Sequence, residues 1–255
     1  MHLEMPNELG AAYKNASQKA RVISEAWGEE NLYCVNCPSR HLVRLRPNTP
    51  TIDYLCPECD SSFQLKGQAH RFSTRISDAA YSKMRDAVTG GRTPNLLALH
   101  YDSALWTVRN LVLIPRFVFS LSCIEQRNPL RSSAIRHGAV LCNILLANIP
   151  PDARISIVSE GLVAAPEEVR DRYARLRPLA TLSHDARGWT LDVLNVVRAL
   201  NTAEFSLPEV YAFAAQLQKL HPDNRHVRDK IRQQLQVLRD LGLVEFLGGG
   251  RYRQR

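Results

Sequence analysis

A chain of 255 residues with 45% hydrophobic content can bury one large core or two smaller ones. Its 33 Lys and Arg outnumber 25 Asp and Glu, and the net charge of +8 favours a polyanionic partner, nucleic acid first. Pro115 and Arg116 interrupt the best apolar run, and Met1 to Gly10 has no signal-peptide pattern, so no membrane partner and a cytoplasmic setting are expected.

Residues 15–28 carry Ala20, Ile23 and Trp27 at helical spacing, with Gly28 as a stop. Lys19, Arg21 and Glu25 lie off that stripe, on a face that is either solvated or, at Glu25, turned to a metal site. Two C-x-x-C pairs follow, Cys34-Val35-Asn36-Cys37 and Cys56-Pro57-Glu58-Cys59, with 18 residues between them. Each turn aims two sulfurs at one point, and two turns complete a tetrahedral thiolate cage for Zn²⁺. Two disulfide pairs are the alternative, but a thioredoxin-like C-x-x-C comes singly. Cys123 and Cys142 lie in apolar surroundings and read as buried thiols.

Residues 42–46 alternate as a short strand inside the cysteine loop, and Asn48, Pro50 and Thr51 turn the chain into a strand over 51–55. Residues 62–66 form the next strand. There Gln64 and Lys66 share one face while Phe63 and Leu65 point to the core. Asp53, Gln64 and Lys66 then fit the P-D…(D/E)-x-K arrangement of many DNA-cutting enzymes. Asp53 would hold a divalent cation, Gln64 would add a side-chain oxygen, and Lys66 would orient or deprotonate the attacking water. A surface strand ending in lysine is commonplace, so spacing alone leaves the ordinary reading open.

The polar stretch 67–73, with His70 and Arg71, is either a surface loop or a phosphate contact. Ile76, Ala80, Met84, Ala87 and Val88 predict an amphipathic helix ending at Gly90-Gly91. Residues 96–101 and 111–114 are strands, with 105–108 between them. This order predicts an α/β sandwich on a mixed sheet. Residues 125–138, with Arg127, Arg131, Arg136 and His137, form a solvated or DNA-facing loop. Strands at 140–146 and 155–158, a charged helix from Pro166 to about Arg177, and a linker over 178–188 complete the first part.

The last stretch has its own pattern. A helix starts at Thr190, and Ser206-Leu207-Pro208-Glu209 has capping-box spacing and opens a second to about Leu220. A third runs from Asn224 to Leu241 with Val227, Ile231, Leu235 and Leu238 buried. Two strands around Gly248-Gly249-Gly250 follow. Three helices and a hairpin make a winged helix. Arg225, His226, Arg228, Asp229, Arg232 and Gln233 would face the major groove, and Arg251, Arg253 and Arg255 the phosphates.

The run from His226 to Gln236, together with Ser17-Gln18-Lys19-Ala20-Arg21, Arg187-Gly188-Trp189-Thr190, the two C-x-x-C pairs, Asp53 and Lys66, resembles the DpnI-type methyl-directed restriction endonucleases. The resemblance covers nearly the whole chain. It implies a P-D…(D/E)-x-K nuclease domain with an embedded zinc site over 1–182, then a winged helix over 183–255. It implies a bacterial enzyme that cleaves duplex DNA at GATC carrying N6-methyladenine, with no nucleotide cofactor. Catalytic Mg²⁺ would be held by Asp53, Gln64 and Leu65, and Arg131 and Arg136 would face DNA. The chain departs from the family in having Gln64 where a glutamate is usual, and Ala139 where an aromatic follows the glycine matching Gly138. Gln64 leaves a second reading open, a non-catalytic regulator that binds methylated DNA.

Overall fold

In the computed structural model the described residues are 1–46, 49, 51–130 and 138–255, with the side chain of Ala79 also outside the description. Helix α1 (Ala16–Asn31) starts at Asn15, whose side-chain oxygen accepts from the N–H groups of Ser17 and Gln18. It buries Ile23 and Trp27 as its spacing predicts, but it runs on past Gly28. Gly28 is not a stop. A Cβ there would collide with the Tyr54 hydroxyl, so the glycine lets the helix close on the strand behind it.

Strands β1 (Val43–Arg44), β2 (Tyr54–Leu55) and β3 (Ser62–Gln68) form an antiparallel meander. The chain then leaves the sheet for β4 (Arg75–Ala80) and α2 (Tyr81–Thr89). It returns as β5 (Asn95–Asp102), parallel to β3. Strand β6 (Thr107–Ile114) turns back along β5. Next come β7 (Ile124–Gln126), β8 (Leu141–Leu145), β9 (Ile155–Ser159), β10 (Leu162–Val163) and helix α3 (Pro166–Leu176). The main sheet has the order β1-β2-β3-β5-β6-β9-β10, and β4-β8-β7 make a smaller second sheet. Strand β5 is buried along most of its length, as expected of a strand covered on both faces.

Other expectations need correction as well. The helix expected over 76–88 is β4 in its first half and α2 in its second. Ile76 and Asp78 both point inward while Arg75 and Ser77 are exposed, so the burial period is two. An inward aspartate breaks the apolar alternation, and what remains mimics helical spacing. The linker expected over 178–188 is also structured. A 3₁₀ turn covers Arg177–Thr181, and Ser183 caps a helix, α4 (His184–Ala199), its hydroxyl accepting from the Ala186 N–H at 3.3 Å. The strand expected over 105–108 is not separate: residues 103–106 form the β5–β6 turn, with Asp102 accepting from the N–H groups of Ala104 and Leu105, and Thr107 and Val108 open β6.

After α4 come β11 (Glu204–Ser206), α5 (Leu207–Tyr211), α6 (Ala214–Leu220), α7 (Val227–Asp240), β12 (Val244–Gly248) and β13 (Arg251–Gln254). The second expected helix is thus two short ones. The capping box at Ser206 and Glu209 is present, and Gly242, at φ +71°, ends α7. Strand β13 lies between β11 and β12, so the hairpin gains a third strand. No helix among the described residues is long and apolar enough to cross a membrane.

Candidate functional site

The four cysteines Cys34, Cys37, Cys56 and Cys59 converge, with their sulfurs all within 4.8 Å of one another. Cys34 and Cys59 are 3.5 Å apart, as are Cys37 and Cys56. A disulfide needs about 2.05 Å, whereas a tetrahedral Zn²⁺ with bonds of about 2.3 Å sets sulfur edges of about 3.8 Å. The cluster therefore could hold zinc and fits it better than two disulfides. Donors surround it, since the Asn36 N–H faces Cys34 at 3.4 Å and the Asn36 amide faces Cys59 at 3.7 Å. Arg170 on α3 clamps the loop from outside, donating to the carbonyls of Cys34, Cys37 and Ser39. Nothing in the sequence near the cysteines points to Arg170. Cys123 and Cys142 are buried, and burial pushes both thiols up to about 11.

The second cysteine turn separates β2 from β3. Just before β2, Asp53 is held by its backbone, its N–H donating to Phe63 O at 2.9 Å and its carbonyl accepting from the Leu45 N–H at 2.8 Å. Its carboxylate accepts from the Leu65 N–H at 2.7 Å. Burial pushes the Asp53 carboxyl above the ordinary carboxylate range, against the pull of the Leu65 N–H and the positive charges of Lys66, Arg21 and Arg44. A cleft of about 190 Å³, lined by Arg21, Glu25, Arg44 and Asp53, opens at this carboxylate. A second, of about 430 Å³, shares Arg21 and Glu25 and reaches Leu65 and Lys66. Glu25 does line both clefts, but it is tied to Arg44 at 2.6 Å and Arg21 at 3.4 Å.

On β3, Phe63 is buried as expected and Leu65 is half-buried. Gln64 is buried too, and its partner is one the sequence reading missed. Lys66 Nζ lies 2.8 Å from Asp78 Oδ1, and Gln64 Nε2 lies 3.5 Å from the same oxygen. So Asp53 meets the main chain of Leu65, while Gln64 and Lys66 are joined through Asp78 on β4. The polar inward position of β4 was the available signal. Arg71 forms an ion pair with Glu160, and His70 accepts at its carbonyl from Gln68.

In the C-terminal part, α7 turns Val227, Ile231, Leu235 and Leu238 inward. Arg225, His226, Arg228, Asp229, Arg232 and Gln233 are all exposed on or just before its first turns. Arg228 also lies over the Tyr211 ring, 5.4 Å from its centroid. The wing arginines are exposed but engaged. Glu204 pairs with Arg251 at 2.8 Å and Arg253 at 2.7 Å, and Glu245 pairs with Arg255 at 2.8 Å. Arg131 and Arg136 lie outside the described residues. Among the described residues on either side, the Leu130 N–H donates to Ala139 O at 3.0 Å.

A polar clasp joins the two parts. Asp192 on α4 accepts from Ser122 at 2.7 Å and lies 2.8 Å from His221 Nε2. Asn195 donates to Ala147 O at 3.0 Å, and Arg198 grips Asp152 at 2.7 and 2.8 Å. Asp192, Asn195 and Arg198 fall on one stripe of the helix.

Two sequence profiles match the chain. That of the DpnI family, described as the Dam-replacing family, matches residues 1–182, the part with the mixed sheet and the cysteine cluster. That of the Dam-replacing HTH domain matches residues 185–254, the part with α7 and the wing. With the sheet domain, the cysteine cluster and the helix-turn-helix unit in the same order, the chain belongs to the DpnI (Dam-replacing) family, whose members act on DNA.

Proposed function

We infer that this chain is a methyl-directed type II restriction endonuclease that hydrolyses phosphodiesters in duplex DNA at GATC carrying N6-methyladenine. It comprises a nuclease domain of the P-D…(D/E)-x-K type over 1–182 and a winged-helix DNA-binding domain over 183–255, and it works in a bacterial cytoplasm. The observation that supports it most is the placement of Asp53 on the main chain of Leu65 at 2.7 Å, on the strand that also carries Gln64 and Lys66.

Asp53, Gln64 and the Leu65 carbonyl would hold catalytic Mg²⁺, an oxygen-only set that suits a hard cation. When bound, that ion supplies Lewis-acid stabilisation of charge on the phosphate. Lys66 holds a proton-bearing nitrogen beside the phosphate and orients the attacking water. Cys34, Cys37, Cys56 and Cys59 would hold structural Zn²⁺. Arg225, His226, Arg228, Asp229, Arg232 and Gln233 present hydrogen-bonding groups to the major groove. Arg251 and Arg253 reach phosphates by exchanging Glu204 for DNA, and Arg131 and Arg136 would add further contacts to DNA.

Gln64 favours a second reading, a DNA-binding regulator with an idle nuclease core. Plasmid from adenine-methylating and non-methylating hosts, incubated with protein and Mg²⁺, separates the two. The expected result is cleavage of the methylated plasmid alone. Lys66→Ala and Asp53→Ala should abolish it and leave duplex affinity largely intact, since both serve the transition state. A Lys66→Ala protein that cuts at the wild-type rate would place the active site elsewhere.

A further inference from the structure

The crossover from β3 to β5 lays β4 against the catalytic strand and delivers Asp78 to it. Its side chain is 2% exposed, and a carboxylate buried that deeply needs partners for its charge. Lys66 Nζ sits 2.8 Å from its Oδ1, and Gln64 Nε2 faces that oxygen at 3.5 Å. The pairing of β4 with β8 is irregular between Asp78 and Ala80. Such an irregularity re-aims side chains where a regular ladder would not.

We propose that Asp78 is a positioning residue of the cleavage site, its buried carboxylate holding the Lys66 ammonium in its working place. The proposal rests on the nuclease reading above. An ammonium carries three N–H donors. With one spent on Asp78, the nitrogen is fixed and the other two remain for water or a phosphate oxygen. Asp78 also explains how glutamine can occupy position 64. A carboxylate only accepts, so the amide nitrogen of Gln64 turns to Asp78 and its Oε1 becomes the free end, available to a cation. A carboxylate at position 64 would instead face a like charge.

Asp78→Asn in the full-length, zinc-loaded protein isolates the Lys66 contact. Asparagine has nearly the same shape and keeps an oxygen for the Gln64 amide, but it gives up the charge that holds the lysine. Cleavage of methylated plasmid at saturating Mg²⁺ should fall by about tenfold or more. The duplex Kd and the Mg²⁺ concentration for half-maximal rate should not move, and a role in packing alone would leave the rate unchanged. Wild-type cleavage by Asp78→Asn overturns the proposal. So does a loss that extra Mg²⁺ makes good, which would make Asp78 a cation ligand. If Asp78→Asn does not fold, Asp78→Glu carries the test, because one added methylene displaces the lysine's anchor. It should cut more slowly at unchanged Kd, and a wild-type rate from it overturns the proposal. A wild-type protein that does not cut brings down the nuclease reading and this proposal together. A wild type that cuts no faster than Asp78→Asn brings down the proposal alone.

Discussion

Lys66 is paired with the buried carboxylate of Asp78, and that changes what its removal should do. Lys66→Ala leaves the Asp78 carboxylate buried without its cation, so stability should drop by about 2 kcal/mol along with activity. Replacing both, as Lys66→Ala with Asp78→Asn, removes the stranded charge and should recover most of that loss. Urea unfolding of the four proteins of this cycle measures it, and additive losses would show that the two residues do not act as a pair. Gln64→Glu should still cut DNA, with less Mg²⁺ needed, because the added charge is neutralised when the cation binds. In the metal-free protein it faces Asp78 and should melt earlier than wild type. A Mg²⁺ titration of rate and a melting curve read these two effects separately.

At the scale of elements, the cysteine loop and the β2–β3 hairpin are one object. The Cys56–Cys59 turn joins the strand after Asp53 to the strand bearing Gln64 and Lys66, and Arg170 ties the other turn to α3. Chelating zinc should therefore lower stability and cleavage together, and freshly purified protein should contain one zinc per chain by elemental analysis. Arg170→Ala removes three hydrogen bonds to loop carbonyls and should cost about 1–3 kcal/mol while leaving the cysteines intact. Unchanged zinc retention under a chelator in that variant would show that the clamp is idle. The cysteines, the β3 strand and α7 were legible in the sequence, because each follows a short-range rule of spacing. Asp78 and Arg170 were not. Asp78 sits on a crossover whose polar inward residue hides the strand period, and Arg170 meets the loop only through the tertiary fold. Gly28 misled for a related reason, since its role is to admit Tyr54 rather than to end a helix.

For the whole molecule the question is how a methyl group can be worth reading. One methyl adds on the order of 1 kcal/mol when buried, less than a tenfold preference, so contact with both methyls of a palindrome or two readers in series is needed. The fragment from Ser183 to Arg255 should bind fully methylated GATC more tightly than unmethylated, and the intact enzyme should discriminate more sharply in cleavage. Titration against duplexes with zero, one and two methyls at fixed salt decides it, since equal affinities would reduce the winged helix to an electrostatic anchor. Helix α4 is buried along most of its length, so excising it with the fragment uncovers apolar surface. The fragment should melt below the intact chain. Oxidative attack on the cysteine cluster would reach Asp53 and Lys66 through the hairpin they share with it. Peroxide or diamide would take two electrons from a pair of the clustered thiolates, join them as a disulfide and release the zinc that the cluster would hold. Asp53 and Lys66 would then lose their common frame, although neither had reacted. On the nuclease reading, DNA cleavage would then stop in a cell under such stress, and thiol reductant with fresh zinc would restore it.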